Sequence, residues 1–114
     1  MKKTFVFLFL FLLFFASKSQ TTLKVLFLGN SYTSLNYLPG LIFQVTKSAG
    51  DSLIYSSNTP GGYTFNQHST NSTSVSLINQ GGWDYVVLQE QSQYPSFPDA
   101  QVQAEVFPYA TALN

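Results

Sequence analysis

The sequence predicts an α/β domain built on a parallel sheet, on three observations. Apolar and polar segments alternate as strand, helix, strand, helix, strand, helix, an order that argues for parallel strands joined by right-handed crossovers. Leu23 to Leu28 is a continuous apolar run rich in β-formers, which suits a strand buried on both faces. That run passes directly into Gly29-Asn30-Ser31-Tyr32. One serine therefore falls at the carboxyl end of the first strand, the edge where open α/β sheets leave backbone N–H groups free for chemistry.

Taken in order, the chain begins with a segment to set aside. Met1-Lys2-Lys3 is a short basic head, Thr4 to Ala16 is nearly unbroken Phe/Leu, and Ser17-Lys18-Ser19 places small residues where a signal peptidase cuts. Residues 1–19 read as a secretory signal peptide. The apolar run is about 13 residues, too short for a spanning helix of roughly 20, so no stable membrane anchor is expected after cleavage. No cysteine follows it, which excludes a lipid-anchored lipoprotein. The expected location is secreted or periplasmic.

After the first strand, Leu38, Leu41, Ile42 and Val45 recur at helical spacing behind Pro39, and the helix is expected to run to Ala49 with Gly50 as its terminator. Leu53 to Ser56 reads as a second strand, followed by the turn-forming Asn58-Thr59-Pro60-Gly61-Gly62. The polar tract Ser69 to Ser74 is poor in helix formers. It predicts a loop between short helices at Phe65–His68 and Val75–Asn79. Trp83 to Gln89 is the third strand, apolar in the middle and polar at its exit. Pro95 and Pro98 break the chain, Asp99 is expected to cap a helix reaching about Phe107, and Pro108 to kink or restart it. Trp83 and Asp84 lie at the entrance of the third strand, where packing and turn capping are the expected roles.

Composition narrows the function. Without the signal, Lys24 and Lys47 stand against Asp51, Asp84, Glu90, Asp99 and Glu105, and arginine is absent. A nucleic-acid partner wants a basic face, so none is expected. Zero cysteines exclude a disulfide scaffold and a thiolate metal site, and His68 alone among scattered carboxylates makes no case for a metal. Gly29 begins neither a P-loop nor a dinucleotide fingerprint. No cofactor is implied. Residues 20–114 are short for a complete sheet with helices on both faces, and Asn114 falls inside an expected helix. The expectation is the N-terminal part of one larger domain. If the chain did end there, an unpaired third strand and an uncovered sheet face would favour association.

The Gly29-Asn30-Ser31-Tyr32 turn resembles the first block, Gly-Asp-Ser-Leu, of the SGNH or GDSL-like serine hydrolases. Asn58 through Gly62-Tyr63-Thr64 is similar to their second block, whose glycine donates its N–H to the oxyanion hole; Gly62 is the better match and Gly61 the alternative. The third block departs from the common Gly-x-Asn-Asp. Leu88-Gln89-Glu90-Gln91 looks more like the Gln-Gly-Glu variant of the acetyl-esterase branches, with Gln89 in the oxyanion role and Gln91 the alternative register. The sequence also resembles a secreted subgroup with Gly-Asn-Ser, Gly-Gly-x-Thr and Trp-Asp-Tyr-Val-Val-Leu-Gln blocks.

The resemblance implies a three-layer, flavodoxin-like sandwich with a parallel sheet, incomplete in this chain. It implies an ester hydrolase, acting on a carbohydrate or small-molecule ester, with Ser31 as nucleophile and Ser31, Gly62 and Gln89 as oxyanion donors. The family's Asp-x-x-His has no match before Asn114, and serine without a base is a weak nucleophile; this chain alone is expected to be nearly inactive. Asn30, His68, Glu90 and Gln91 are candidates for supporting roles. For His68 a supporting, substrate-contacting or structural role is favoured over that of base. Glu90 is a candidate to orient Gln89 or a neighbouring backbone group. The alternative function is a non-catalytic glycan-binding or surface-interaction module, in which Tyr32, Tyr63 and Tyr94 stack on sugar rings.

Overall fold

The computed structural model describes residues 20–114; the expected signal peptide lies outside the described residues. Three strands, β1 (Thr22–Leu28), β2 (Ser52–Asn58) and β3 (Tyr85–Leu88), form a parallel sheet in the order β2-β1-β3. The fold is α/β, as expected, and compatible with a flavodoxin-like arrangement. Because β2 and β3 flank β1 on opposite sides, the chain reverses its direction of travel across the sheet at β1. The carboxyl edge between β1 and β3 is thus a topological switch point, where open α/β sheets leave a crevice.

β1 is central because its side chains are apolar on both faces. Leu26 and Leu28 pack with Phe65, Val106 and Leu113 on one side, while Val25 and Phe27 pack with Leu53, Phe43 and Tyr55 on the other. β2 runs longer than Leu53–Ser56, since it pairs with β1 along its whole length, from Thr22↔Ser52 to Leu28↔Asn58. β3 is shorter than expected at its entrance. Trp83 leaves the ladder to pack on the Leu26/Leu28 side and donates from Nε1 to the Leu77 carbonyl at 2.8 Å. Asp84 bridges onto β1 instead: its Oδ2 accepts from Lys24 N–H at 2.7 Å and its own N–H donates to Lys24 O at 2.8 Å.

The helices are α1 (Ser31–Ser34), α2 (Leu38–Ser48), α3 (Phe65–Thr70), α4 (Ser72–Gln80), α5 (Asp99–Glu105) and α6 (Phe107–Ala112), with 3₁₀ turns at Leu35–Tyr37 and Tyr94–Ser96. Pro39 sits in the first turn of α2, and Gly50 follows its last turn with φ 88°, a left-handed angle that glycine adopts without steric cost.

Two further sequence expectations fail locally. The polar tract Ser69–Ser74 is helical except at Asn71, because caps offset its low propensity. Thr64 and Gln67 form a reciprocal capping box on α3, and Asn71 Oδ1 accepts from Ser74 N–H at 3.0 Å to start α4. Asp99 is not a cap. Pro98 occupies that position, and Asp99 is the first residue of α5, where its charge suits the helix dipole. Val106 then interrupts the helix, which restarts with Pro108 in the first turn of α6. Among the described residues no helix is long and apolar enough to cross a membrane.

Candidate active site at the carboxyl edge of the sheet

Ser31 is the first residue of α1, three residues beyond the end of β1. Its side chain is exposed, and neither its hydroxyl nor its N–H bonds to a group among the described residues. The turn beneath it is tightly held. Asn30, only 1 % exposed, caps α1 by accepting Tyr32 N–H on Oδ1 at 3.1 Å. Gly29 is required by close approach: a Cβ there would lie 2.5 Å from Thr33 Oγ1 and 2.9 Å from Gln89 Oε1, distances no side chain tolerates without displacing them.

The second loop is tied to this turn by one bond. Asn30 Nδ2 donates to the Tyr63 carbonyl at 2.9 Å, which ties the residue after Gly61-Gly62 to the serine turn. Gly62 has φ 73° and is exposed, and its N–H bonds to no group among the described residues. Gly61 is exposed as well, but its φ is not in the left-handed region.

Gln89 follows β3 and reaches across to the same turn. Its Oε1 accepts from Asn30 N–H at 3.1 Å and from the Thr33 hydroxyl at 2.9 Å, while Nε2 donates to the Glu90 carbonyl. With Oε1 held by two donors the amide orientation is determined, and one of its two N–H bonds remains. Glu90 is buried, at 8 % exposure, and its carboxylate accepts from Phe65 N–H at 3.0 and 3.2 Å and from Gln91 N–H at 2.7 Å. It therefore joins the start of α3 to the end of β3, with its charge at a helix N-terminus. Gln91 turns outward, its Oε1 accepting from Gln93 N–H at 2.7 Å. Of the two glutamines, Gln89 is the one joined to the serine turn.

His68 does not border the surface. It lies in the second half of α3, is 0 % exposed, and both ring nitrogens are engaged. Nε2 is 2.8 Å from the Gly29 carbonyl and Nδ1 is 2.7 Å from Ser74 Oγ. A carbonyl only accepts, so Nε2 carries the proton and Nδ1 accepts from the Ser74 hydroxyl. That hydroxyl in turn accepts from Asn58 Nδ2 at 2.8 Å, and Asn58 Nδ2 also donates to Asn71 Oδ1 at 3.0 Å. Burial pushes the imidazole below the usual histidine value, opposed in part by the Gly29 carbonyl and the Glu90 carboxylate. No ring nitrogen is left for the Ser31 hydroxyl.

Sequence reasoning missed the members of this network other than His68. Ser74 falls at i, i+3, i+4 with Leu77 and Ile78, a helical stripe, and that spacing is the signal by which its burial could have been found. Asn58 and Asn71 carried no comparable signal, since both read as turn residues.

Beside Ser31 lies an open hollow of about 240 Å³ lined by Ser31, Tyr32, Leu35 and Asn36. Tyr32 and Leu35 are each 68 % exposed, and none of the four is charged. Asn36 and the Tyr37 that follows it are both left-handed, at φ 58° and 57°, a conformation costing roughly 1–2 kcal/mol per non-glycine residue. Tyr37 is held in place by its ring lying over Gly40, where a Cβ would be 2.0 Å from the ring edge, and by a 2.9 Å hydroxyl contact with Tyr55 on β2.

The arrangement has an exposed hydroxyl, unpartnered N–H groups near it and an uncharged hollow alongside, all at the carboxyl edge of the central strand. No family model, curated protein or solved structure gives a significant match to this chain.

Proposed function

We propose that this chain carries the nucleophile and oxyanion hole of an exported SGNH-type serine ester hydrolase, within a three-layer sandwich that extends beyond these residues. The observation that carries the reading is Ser31 itself: an exposed hydroxyl at the switch point of the sheet, on a turn whose Gly29 carbonyl, Asn30 N–H and Asn30 side chain are each hydrogen-bonded. Ser31 Oγ attacks the acyl carbonyl, and the N–H groups of Ser31 and Gly62 receive the oxyanion together with the remaining N–H of the Gln89 amide. Each such donor is worth about 3 kcal/mol in the transition state. The base is an Asp-His pair from sequence outside these 114 residues, because His68 is fully engaged. The uncharged hollow at Tyr32 and Leu35 suits a neutral ester, an acylated or acetylated carbohydrate or a small ester, and no cofactor is needed.

In the full-length protein, a fluorophosphonate probe is expected to label Ser31, and Ser31→Ala is expected to abolish labelling and lower ester hydrolysis by at least about 10³-fold. Full esterase activity in Ser31→Ala refutes the nucleophile. A second reading, a non-catalytic glycan-binding module, draws on the exposure of Tyr32 at the hollow. Saccharide binding without Ser31 labelling is the result that selects it.

A further inference from the structure

Among the described residues the Ser31 hydroxyl and N–H make no polar contact, so the position of the hydroxyl is set by the backbone behind it. The decisive unit is the peptide plane joining Gly29 to Asn30. Its carbonyl accepts from His68 Nε2 at 2.8 Å, and its N–H donates to Gln89 Oε1 at 3.1 Å. One flat group is thus gripped from both ends by side chains of two different elements, α3 and the segment after β3. Rotation of that plane would swing Asn30, release its cap on Tyr32 N–H and carry the Ser31 hydroxyl with it.

The grip from His68 depends on a single tautomer. Asn58 Nδ2 donates to Ser74 Oγ, which obliges the Ser74 proton toward His68 Nδ1, which leaves Nε2 as the donor to Gly29. Asn58 is the last residue of β2 and pairs in register with Leu28. The relay therefore runs from the end of β2 through α4 and α3 to the nucleophile turn, with Ser74 and His68 fully buried.

Resting on the serine-hydrolase reading, we infer that His68 is a positioning residue for Ser31, acting through the Gly29 carbonyl as the terminus of an Asn58–Ser74–His68 relay. It touches no reacting atom. Its function is to keep the nucleophile's backbone from rotating during acylation, where small displacements of a reacting group cost large factors in rate.

The test uses the full-length protein with two measurements. Long-range ¹H–¹⁵N spectra of the imidazole at neutral pH are expected to show the neutral Nε2–H form. Fluorophosphonate labelling kinetics are expected to fall about tenfold or more in kinact for His68→Ala, with KI changed less than about twofold. His68→Gln, whose amide N–H replaces the Nε2 donor, is expected to recover most of the loss even if both variants lose thermal stability. Wild-type rates in His68→Ala, or no recovery in a folded His68→Gln, overturn the positioning role, as does an Nδ1–H or doubly protonated ring. Absence of labelling in the wild type overturns the hydrolase reading and the positioning role with it; the imidazole spectrum still reports whether the relay exists as an element of the fold.

Discussion

At the scale of single residues, Asn30 shows how one side chain does work that a close relative of it would not. Its Oδ1 caps α1 and its Nδ2 holds the Tyr63 carbonyl at 2.9 Å. Aspartate, the residue of the Gly-Asp-Ser-Leu block that this turn resembles, supplies the first contact and lacks the second. Asn30→Asp is therefore expected to set a carboxylate oxygen against a carbonyl and to cost about 1–3 kcal/mol, read as a lower urea midpoint, with the Gly62 loop loosened. The sequence-level reading put Ser31, Gly62 and Gln89 after the carboxyl ends of β1, β2 and β3, because strand ends and glycine turns announce themselves through polarity changes. It did not find that Gln89 accepts from the serine turn, since a glutamine's two ends are equivalent in a sequence and are distinguished only by what faces them.

At the scale of elements, the strands were the most legible part. A run such as Val25 to Leu28 has no stable place except between two apolar layers, whereas α3 and α4 were obscured by their composition. Ser69, Thr70, Ser72, Thr73 and Ser74 are weak helix formers, and what makes them helical is the pair of caps at Thr64 and Asn71. Removing one cap tests that balance. Asn71→Ala loses the bond to Ser74 N–H and an acceptor for Asn58, and is expected to destabilise the protein by about 1–2 kcal/mol. Far-UV circular dichroism through a denaturant titration measures it.

For the whole molecule, the buried imidazole couples folding to pH. Burial lowers the folded-state value of His68 below 6.5, so the unfolded chain takes up the proton more readily than the folded one. The stability from this source is present in full above about pH 6.5 and is lost as the pH falls through the lowered folded value. The groups facing it are Gly29, Ser74, the Tyr63 ring at a centroid distance of 5.1 Å and, by charge, Glu90. Urea midpoints between pH 7.5 and 5 are expected to decline in the wild type and to decline less in His68→Gln. A different kind of consequence belongs to Gly40. Because the Tyr37 ring occupies the space of its missing Cβ and reaches Tyr55 on β2, the packing of the residue that follows Asn36 of the serine hollow requires that position 40 have no side chain. In descendants of this sequence, an aromatic at 37 and a glycine at 40 are expected to be inherited or lost together. A panel of homologues in which the two vary independently would contradict this.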